Sequence, residues 1–119
     1  MEKINKNFLK HSQNYLNSLH SSFTDEILFK VEKLAIHLKT NWQEGRNIFI
    51  CGNGGSAANA IHIANAFHYG AGACGNSPVI NGLKVEALTS NSAILTCLGN
   101  DIGYENIFSH QLQNKASEK

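Results

Sequence analysis

The stretch 47–69 constrains the fold of this chain more than any other feature of the sequence. Residues 48–51, I-F-I-C, form a short apolar run typical of a strand buried on both faces, as in a parallel sheet. The glycines of the next segment, G-N-G-G-S at 52–56, permit a tight turn and a close approach of the backbone to a ligand. No Pro or Gly interrupts 57–69, which predicts a helix with Ser56 at its N-cap. Strand, glycine loop and helix together predict an anion site, because unpaired N–H groups and the positive end of the helix dipole meet there.

A second motif, T-C-L-G-N-D-I-G-Y at 96–104, is followed by I-F-S at 107–109. The first motif, C-G-N-G-G-S at 51–56 with A-I-H at 60–62, resembles the glycine loop of the sugar isomerase (SIS) domain, most closely that of the phosphoheptose isomerases. The second resembles the N-D-x-G-[YF] segment of the same family, in the same order. The resemblance covers nearly the whole chain and corresponds to the N-terminal part of such a domain. It implies an α/β, flavodoxin-like domain with a parallel sheet that is incomplete at the C-terminus.

The resemblance also implies a function and a set of binding residues. It implies aldose–ketose isomerisation of a phosphorylated sugar, as by the D-sedoheptulose 7-phosphate isomerases of heptose precursor biosynthesis. That reaction needs an acid, a base and anchors for the phosphate and hydroxyl groups. On spacing alone, the Asp101 carboxylate is as well suited to capping a helix near Tyr104 as to contacting a substrate; the resemblance favours the substrate. The implied substrate-binding residues are Asn53, Gly54, Gly55, Ser56, Asn100 and Asp101.

Catalysis by this chain is uncertain because one position departs from the family pattern. In zinc-containing phosphoheptose isomerases the helix histidine, here His62, is a metal ligand, and a carboxylate at i+4 serves both metal and catalysis. Position i+4 is Ala66 in this chain, and Asn65 at i+3 is neutral and cannot act as a base. Zinc is therefore a possible cofactor with one candidate ligand, and the catalytic residues are unassigned. The alternative function is a non-catalytic sugar phosphate-binding module or an inactive subunit.

A dinucleotide-binding domain is a less favoured alternative from another class. The relaxed fingerprint G-x-G-x-x-A matches Gly52, Gly54 and Ala57. That fingerprint needs an acidic residue about 20 positions on, at the end of the next strand. Positions 70–83 contain no acid, and Glu86 lies inside the next predicted strand. Walker-type nucleotide binding is excluded because no Lys follows Gly55.

The chain is predicted to form one domain, 1–119, with a helical hairpin over 1–45, strand–loop–helix units over 46–113 and a tail over 114–119 that lacks an apolar anchor. The units comprise strands at 48–51 and 84–88, a loop at 70–82, a helix at 93–98, a break at 99–103 and a helix at 104–113. Both hairpin helices are amphipathic. They either cover the sheet or, as the resemblance implies, contribute to a homo-oligomer such as a tetramer. The apolar stripes are Ile4, Phe8, Tyr15, Leu16 and Leu19 in the first helix, and Ile27, Leu28, Val31, Leu34, Ala35, Leu38 and Trp42 in the second.

Charge and cysteine usage limit the partners and the compartment. The formal net charge is +1, so bulk charge attracts neither nucleic acid nor a membrane surface. The sequence shows no signal peptide and no long apolar span, and its three cysteines lack metal-type spacing. A reducing cytoplasm is therefore expected. Cys51 and Cys97 lie in apolar runs and are predicted to be small buried core residues.

Overall fold

The computed structural model describes residues 5–70 and 81–116. It divides into two compact units, Met1–Lys39 and Thr40–Lys119. Among the described residues, no helix is both long and apolar enough to cross a membrane. The elements in chain order are helices α1 (Lys6–Ser22) and α2 (Asp25–Gln43), strand β1 (Asn47–Ile50), helix α3 (Gly55–Asn65) with a π-helical turn (Ala66–Gly70), strand β2 (Lys84–Ala87), helix α4 (Ser92–Asp101), a 3₁₀ turn (Tyr104–Asn106) and helix α5 (Ser109–Lys115).

The first unit consists of α1 and most of α2, and both predicted helices are present. The Asn5 side chain caps α1 by accepting a hydrogen bond from the Asn7 N–H at 2.9 Å. Thr24 Oγ1 accepts a longer one, 3.4 Å, from the Ile27 N–H at the start of α2. Neither helix contains a buried residue. The predicted apolar stripes are therefore not buried over the described residues: Leu38 and Trp42 are half-buried, and the other stripe residues are exposed. Ile4 lies outside the described residues.

The second unit is built on a parallel pair of strands. Ile48 pairs with Val85 and Ile50 with Ala87. Helix α3 packs against one face of this pair, where Ala60, Ala64 and Ala87 form the buried cluster and Ile50 and Val85 pack against it. Small alanines bring the helix close to the strands. Because the strands are parallel, the glycine loop after β1 and the turn after β2 lie at the same edge of the sheet. Each strand agrees with its predicted range to within one residue.

Helix α4 is longer than the sequence predicted. The predicted break at 99–103 begins too early, because the helix continues through Gly99 and ends at Asp101. Glycine weakens a helix by only about 1 kcal/mol, and at Gly99 the nearest atom to an added Cβ would be Ile107 Cγ2, at 3.9 Å. The backbone changes direction at Gly103, which has a φ of 93°.

The segment after Gly103 forms a 3₁₀ turn and then α5, rather than one helix over 104–113. Gln111 in α5 is buried, and its Nε2 donates hydrogen bonds to the Leu88 carbonyl at 3.2 Å and the Ile107 carbonyl at 2.8 Å. At the end of α5, Lys115 forms an ion pair with Glu86 of β2. The last helix is thus fixed to the sheet by polar contacts that no apolar pattern indicates.

Helix α3 also ends differently from its prediction. An uninterrupted helix was expected up to Gly70, but α3 ends at Asn65 and a π-helical turn follows. The Leu83 N–H donates to the carbonyl of Phe67 at 3.0 Å. A Cβ at Gly82 would lie 1.9 Å from the His68 carbonyl oxygen, so only glycine permits this approach. Of the predicted loop at 70–82, residues 71–80 lie outside the described residues.

The predicted burial of the cysteines is wrong for the two in the described part of the chain. Cys51 and Cys97 are both exposed free thiols. Cys51 directly follows the end of β1 and opens the glycine loop. The apolar neighbours of Cys97 along the chain do not bury it, because α4 contains no buried residue and Cys97 lines an open cavity with Ile94 and His110.

Candidate functional site

The glycine loop is a closed turn held together by the Ser56 hydroxyl. Ser56 Oγ accepts a hydrogen bond from the Asn53 N–H at 2.8 Å and donates one to the Asn53 carbonyl at 2.7 Å. A Cβ at Gly52 would lie 2.6 Å from the backbone carbon and oxygen of Ser56. Gly54 has a φ of 54°, a conformation that residues other than glycine rarely adopt. Glycine is therefore required at Gly52 by the close approach of the Ser56 backbone and at Gly54 by the positive φ.

The start of α3 corrects the predicted role of Ser56. The residue at the N-cap is Gly54, with no side-chain capping hydrogen bond, and Ser56 lies inside the first turn. The sequence could not show this, because the Ser56 hydroxyl binds the loop backbone instead of a helix N–H. Within the described residues, the N–H groups of Gly54 and Gly55 have no backbone acceptor. Both residues are exposed, and a Cβ at either position would meet no atom within 4 Å, so the space beside their α-carbons is open.

The Asn100–Asp101 pair forms a second polar group at the end of α4. Asn100 Nδ2 donates to Asp101 Oδ1 at 2.8 Å, and Cys97 Sγ donates to Asp101 Oδ2 at 3.3 Å. These hydrogen bonds, that from Asn100 first, lower the pKa of Asp101 from its usual value. The hydrogen bond to Asp101, together with its negative charge, raises the pKa of the Cys97 thiol. Asp101 is thus a carboxylate at neutral pH, held by two neighbours on its own helix.

The alternative role for Asp101, capping a helix near Tyr104, is not the one observed. Asp101 is the last residue of α4, and the following 3₁₀ turn has Gly103 at its N-cap without a side-chain capping bond. The Asp101 carboxylate is exposed, and within the described residues its partners are Asn100 and Cys97.

The reactivity of Cys97 tests this cluster. We expect Asp101→Asn to lower the pKa of the Cys97 thiol, because the substitution removes the negative charge that favours the protonated form. The rate of Cys97 alkylation by iodoacetamide, measured by mass spectrometry as a function of pH, should then rise at a lower pH than in the unaltered chain. Cys51, which has no such carboxylate partner among the described contacts, provides the internal control; an equal change at both cysteines would contradict the proposed geometry.

The metal-binding interpretation of His62 has little support from its surroundings. His62 is exposed on α3, and the Ala66 N–H donates to the His62 carbonyl. Positions 62 and 66 therefore do lie one helical turn apart, but Ala66 offers no metal donor. Among residues 5–70 and 81–116, no group of three or more His, Cys, Asp or Glu side chains is placed to hold a metal ion. The described residues around His62 therefore do not fit a zinc site.

The glycine loop and the Asn100–Asp101 pair are each held together by their own hydrogen bonds. Within the part of the chain that is described, no hydrogen bond or ion pair joins the loop at 53–56 to the Asn100–Asp101 pair.

Sequence reasoning assigned no role to Thr89, which follows β2 at the same end of the strands as the glycine loop. Thr89 is 8% exposed, and its Oγ1 is buried without a hydrogen-bond partner. The sequence could have indicated Thr89 as a candidate site residue, because it comes directly after the predicted strand at 84–88.

Comparison with known proteins identifies the family. The SIS domain model matches residues 11–118, and the chain belongs to this family. It is 39% identical to a phosphoheptose isomerase of Aneurinibacillus thermoaerophilus over 97% of this chain and 56% of the relative. It is 36% identical to a phosphoheptose isomerase of Aliarcobacter butzleri over 97% of this chain and 56% of the relative.

A solved structure supports the same family and fold. The chain superimposes on phosphoheptose isomerase GmhA from Neisseria gonorrhoeae with a TM-score of 0.69 and 26% identity, covering 96% of this chain and 55% of that one. The small parallel sheet with its helices thus matches the predicted α/β SIS fold. This chain spans about half the length of the relatives that it matches.

Proposed function

We propose that this chain binds a sugar phosphate at the glycine loop, and that the sugar is one that phosphoheptose isomerases use, such as sedoheptulose 7-phosphate. The observation that carries the proposal is the loop geometry: among the described residues the N–H groups of Gly54 and Gly55 lack backbone acceptors, and both glycines are exposed at the start of α3. Such donors, together with the positive end of the helix dipole, favour a phosphate. Membership of the SIS family supports the assignment.

In this proposal the loop anchors the ligand and does no proton transfer. The two backbone donors hold phosphate oxygens, and Ser56 keeps the loop in shape through its hydrogen bonds to Asn53. The Asn53 side chain is exposed and can donate to a ligand hydroxyl. Asn100 and Asp101 contribute contacts to sugar hydroxyl groups, with the Asp101 carboxylate as an acceptor.

Two interpretations of catalysis remain, and Ala66 favours the second. One is aldose–ketose isomerisation, which moves a proton through an enediol and needs a base near the sugar carbonyl. The other is a non-catalytic sugar phosphate-binding module or an inactive subunit. Because Ala66 stands one turn after His62 and cannot accept a proton, the residues of this chain favour binding over catalysis.

The dinucleotide alternative is further disfavoured by the surroundings of Glu86. That alternative needs a free carboxylate at the end of β2 to accept hydrogen bonds from a ribose. Glu86 lies inside β2 and is paired with Lys115. The residues directly after β2, Leu88 to Ser90, include no acid.

Binding is expected to depend on the phosphate and on the absence of a side chain at Gly55. We expect sedoheptulose 7-phosphate to bind with a dissociation constant of roughly 1 mM, more tightly than sedoheptulose, because two or three charge-assisted hydrogen bonds are offset by association costs. Gly55→Ala should weaken binding at least about tenfold, since its Cβ would enter the space that the phosphate needs. Nuclear magnetic resonance titration measures the dissociation constants of the unaltered chain and of the Gly55→Ala variant. If NADH bound and sedoheptulose 7-phosphate did not, the dinucleotide function would replace this one.

We also propose that the chain is cytoplasmic and that it forms a homo-oligomer through its first helix. That helix carries large apolar side chains, most of which are more than half exposed. Phe8, Tyr15 and Leu16 are 67%, 68% and 59% exposed. Burying such surface stabilises a complex by about 25 cal/mol per Å². The free thiols at Cys51 and Cys97 are typical of a reducing compartment.

Self-association is expected to be sensitive to Leu16 and insensitive to its neighbour Asn17. Leu16→Lys should raise the dissociation constant of the oligomer roughly tenfold or more, because it places a charge on the apolar face that the oligomer would bury. Asn17→Lys adds the same charge beside the apolar stripe and should leave the dissociation constant of the oligomer nearly unchanged. Sedimentation velocity at tens of micromolar, about the range in which a weak interface is visible, compares the two. An unaltered chain that sediments as a monomer contradicts the proposal.

A further inference from the structure

The turn after β2 contains a buried hydroxyl group. Thr89 is buried, and within the described residues its Oγ1 has no hydrogen-bond partner. The Ser90 N–H donates to the Ala87 carbonyl at 3.0 Å, so a turn over 87–90 holds Thr89 at its third position. A buried hydroxyl without a partner destabilises a fold, and such groups are rare in native proteins. The presence of one here therefore calls for a physical reason.

Thr89 and the glycine loop follow neighbouring strands at the same end of the sheet. Ile50 of β1 pairs with Ala87 of β2, and the Leu88 N–H donates to the Ile50 carbonyl at 2.9 Å. The chain therefore leaves β1 through Gly52 and β2 through Thr89 side by side, since neighbouring strands lie about 5 Å apart. Open parallel sheets bind their ligands in the crevice outside these strand ends.

The residues that follow Thr89 supply hydrogen-bond donors and no carboxylate. The Asn91 side chain caps α4, a helix of 10 residues. At the exposed start of this helix, the N–H groups of Ser92 and Ala93 have no backbone acceptor within the part of the chain that is described. The stretch 88–100 contains no Asp or Glu. Donors at the positive end of a helix, without a nearby carboxylate, favour an anionic oxygen of a ligand.

We propose that Thr89 is a second anchor for the phosphate of the bound sugar phosphate: its hydroxyl donates a hydrogen bond to an oxygen of the phosphate group that the N–H groups of Gly54 and Gly55 hold. This inference rests on the proposed function. Rotation about the Cα–Cβ bond exchanges the hydroxyl and methyl groups of Thr, and this rotation turns the hydroxyl toward the ligand. The reason for an unpaired hydroxyl is then that its partner arrives with the ligand, in a charge-assisted hydrogen bond.

Two substitutions of Thr89 separate this role from a purely structural one. Thr89→Val removes the hydroxyl and should raise the dissociation constant of sedoheptulose 7-phosphate roughly tenfold. Thr89→Ser keeps the hydroxyl and should leave the dissociation constant within about twofold of that of the unaltered chain. Without ligand, Thr89→Val should melt at the same temperature as the unaltered chain or higher, because it removes an unpaired buried hydroxyl. Nuclear magnetic resonance titration and thermal denaturation measure these two properties.

Inorganic phosphate tests which part of the ligand Thr89 contacts. Thr89→Val should weaken the binding of inorganic phosphate by about the same factor as that of sedoheptulose 7-phosphate. A loss confined to the sugar phosphate would place the contact on the sugar and overturn the proposal. Ser90→Ala removes the exposed hydroxyl of the next residue and should change neither binding nor stability; equal weakening by Ser90→Ala and Thr89→Val also overturns the proposal.

The remaining outcomes distinguish this inference from the proposed function. A lower melting temperature for Thr89→Val with unchanged binding would mean that the hydroxyl is bonded without ligand, as to an internal water, and would overturn the inference. If Gly55→Ala weakens binding and Thr89→Val does not, the inference fails and the proposed function stands; if the unaltered chain binds neither ligand, both fail. Where Thr89→Val does not fold, the Thr89 methyl resonance of the unaltered chain decides: it should shift on saturation with inorganic phosphate, and an unmoved resonance overturns the inference.

Discussion

The 119-residue chain is expected not to interconvert sedoheptulose 7-phosphate and its aldose isomer, even where it binds them. General acid and general base catalysis each contribute about 10²–10⁴-fold, and the position that resembles the family's catalytic carboxylate is Ala66. The chain also spans only about half of its relatives. The expected loss is therefore roughly 10⁴-fold or more relative to the A. thermoaerophilus relative, which serves as the positive control in an assay of aldose formation.

Restoring activity should require two changes together. Ala66 is exposed and lies one turn after His62, so Ala66→Glu places a carboxylate on the expected face without a clash. We expect this substitution alone to restore little, and to restore more when the unmatched part of a relative is supplied, because groups that act as a unit are not additive. Ala66→Gln is the matched control, since it has the same shape without a base.

One result would falsify the inactive-chain prediction: turnover by the unmodified chain that is abolished by Ser56→Ala. The Ser56 hydroxyl makes two hydrogen bonds that hold Asn53 in the loop, so this variant should open the loop without touching His62 or Asp101. A base would then have to be sought among His62, His68 and Asp101.

Gly52→Ala is expected to destabilise the second unit strongly, and Gly55→Ala is not. A Cβ at Gly52 would lie 2.6 Å from the Ser56 backbone, whereas a Cβ at Gly55 would meet nothing within 4 Å. Overpacking of this kind costs about 1–3 kcal/mol, a fall in melting temperature of roughly 5–15 °C for a domain of this size. Gly55→Ala should change stability by at most about 1 kcal/mol, since Ala is the better helix former.

The two glycine variants separate folding from binding. Thermal denaturation followed by circular dichroism measures the first, and titration with sedoheptulose 7-phosphate measures the second. Gly52→Ala should lose both properties, whereas Gly55→Ala should keep its stability and lose binding. Equal melting temperatures for the two variants would contradict the loop geometry, and undiminished binding by Gly55→Ala would contradict its place in the phosphate site.

Much of the second unit is readable from local sequence. The apolar run before Gly52 predicted β1, and the alternation at 84–88 predicted β2, each to within one residue of the observed strands. Local patterns succeed here because strand formation depends on side chains within a few residues of one another. The glycine loop was also predictable, since Gly54 adopts a positive φ that the sequence signals directly.

The candidate site was only partly predictable. The motifs singled out the residues at 53–56 and the Asn100–Asp101 pair, but not what their side chains bind. Ser56 was expected to cap α3 and instead holds the Asn53 backbone. The hydrogen bond from Cys97 to Asp101 depends on α4 continuing through Gly99, which helix propensity alone did not predict.

The sequence by itself determined the order of strand, glycine loop and helix, the amphipathic faces of α1 and α2, and the family to which the chain belongs. Tertiary structure decided where α3 ends, because Gly82 and Leu83 approach the carbonyls of Phe67 and His68 from about 15 residues away. It also decided that α5 extends to Lys115, which pairs with Glu86 of β2. The physical reason is that periodicity and turn chemistry act between near neighbours, whereas these contacts join segments whose proximity exists only after the chain has folded.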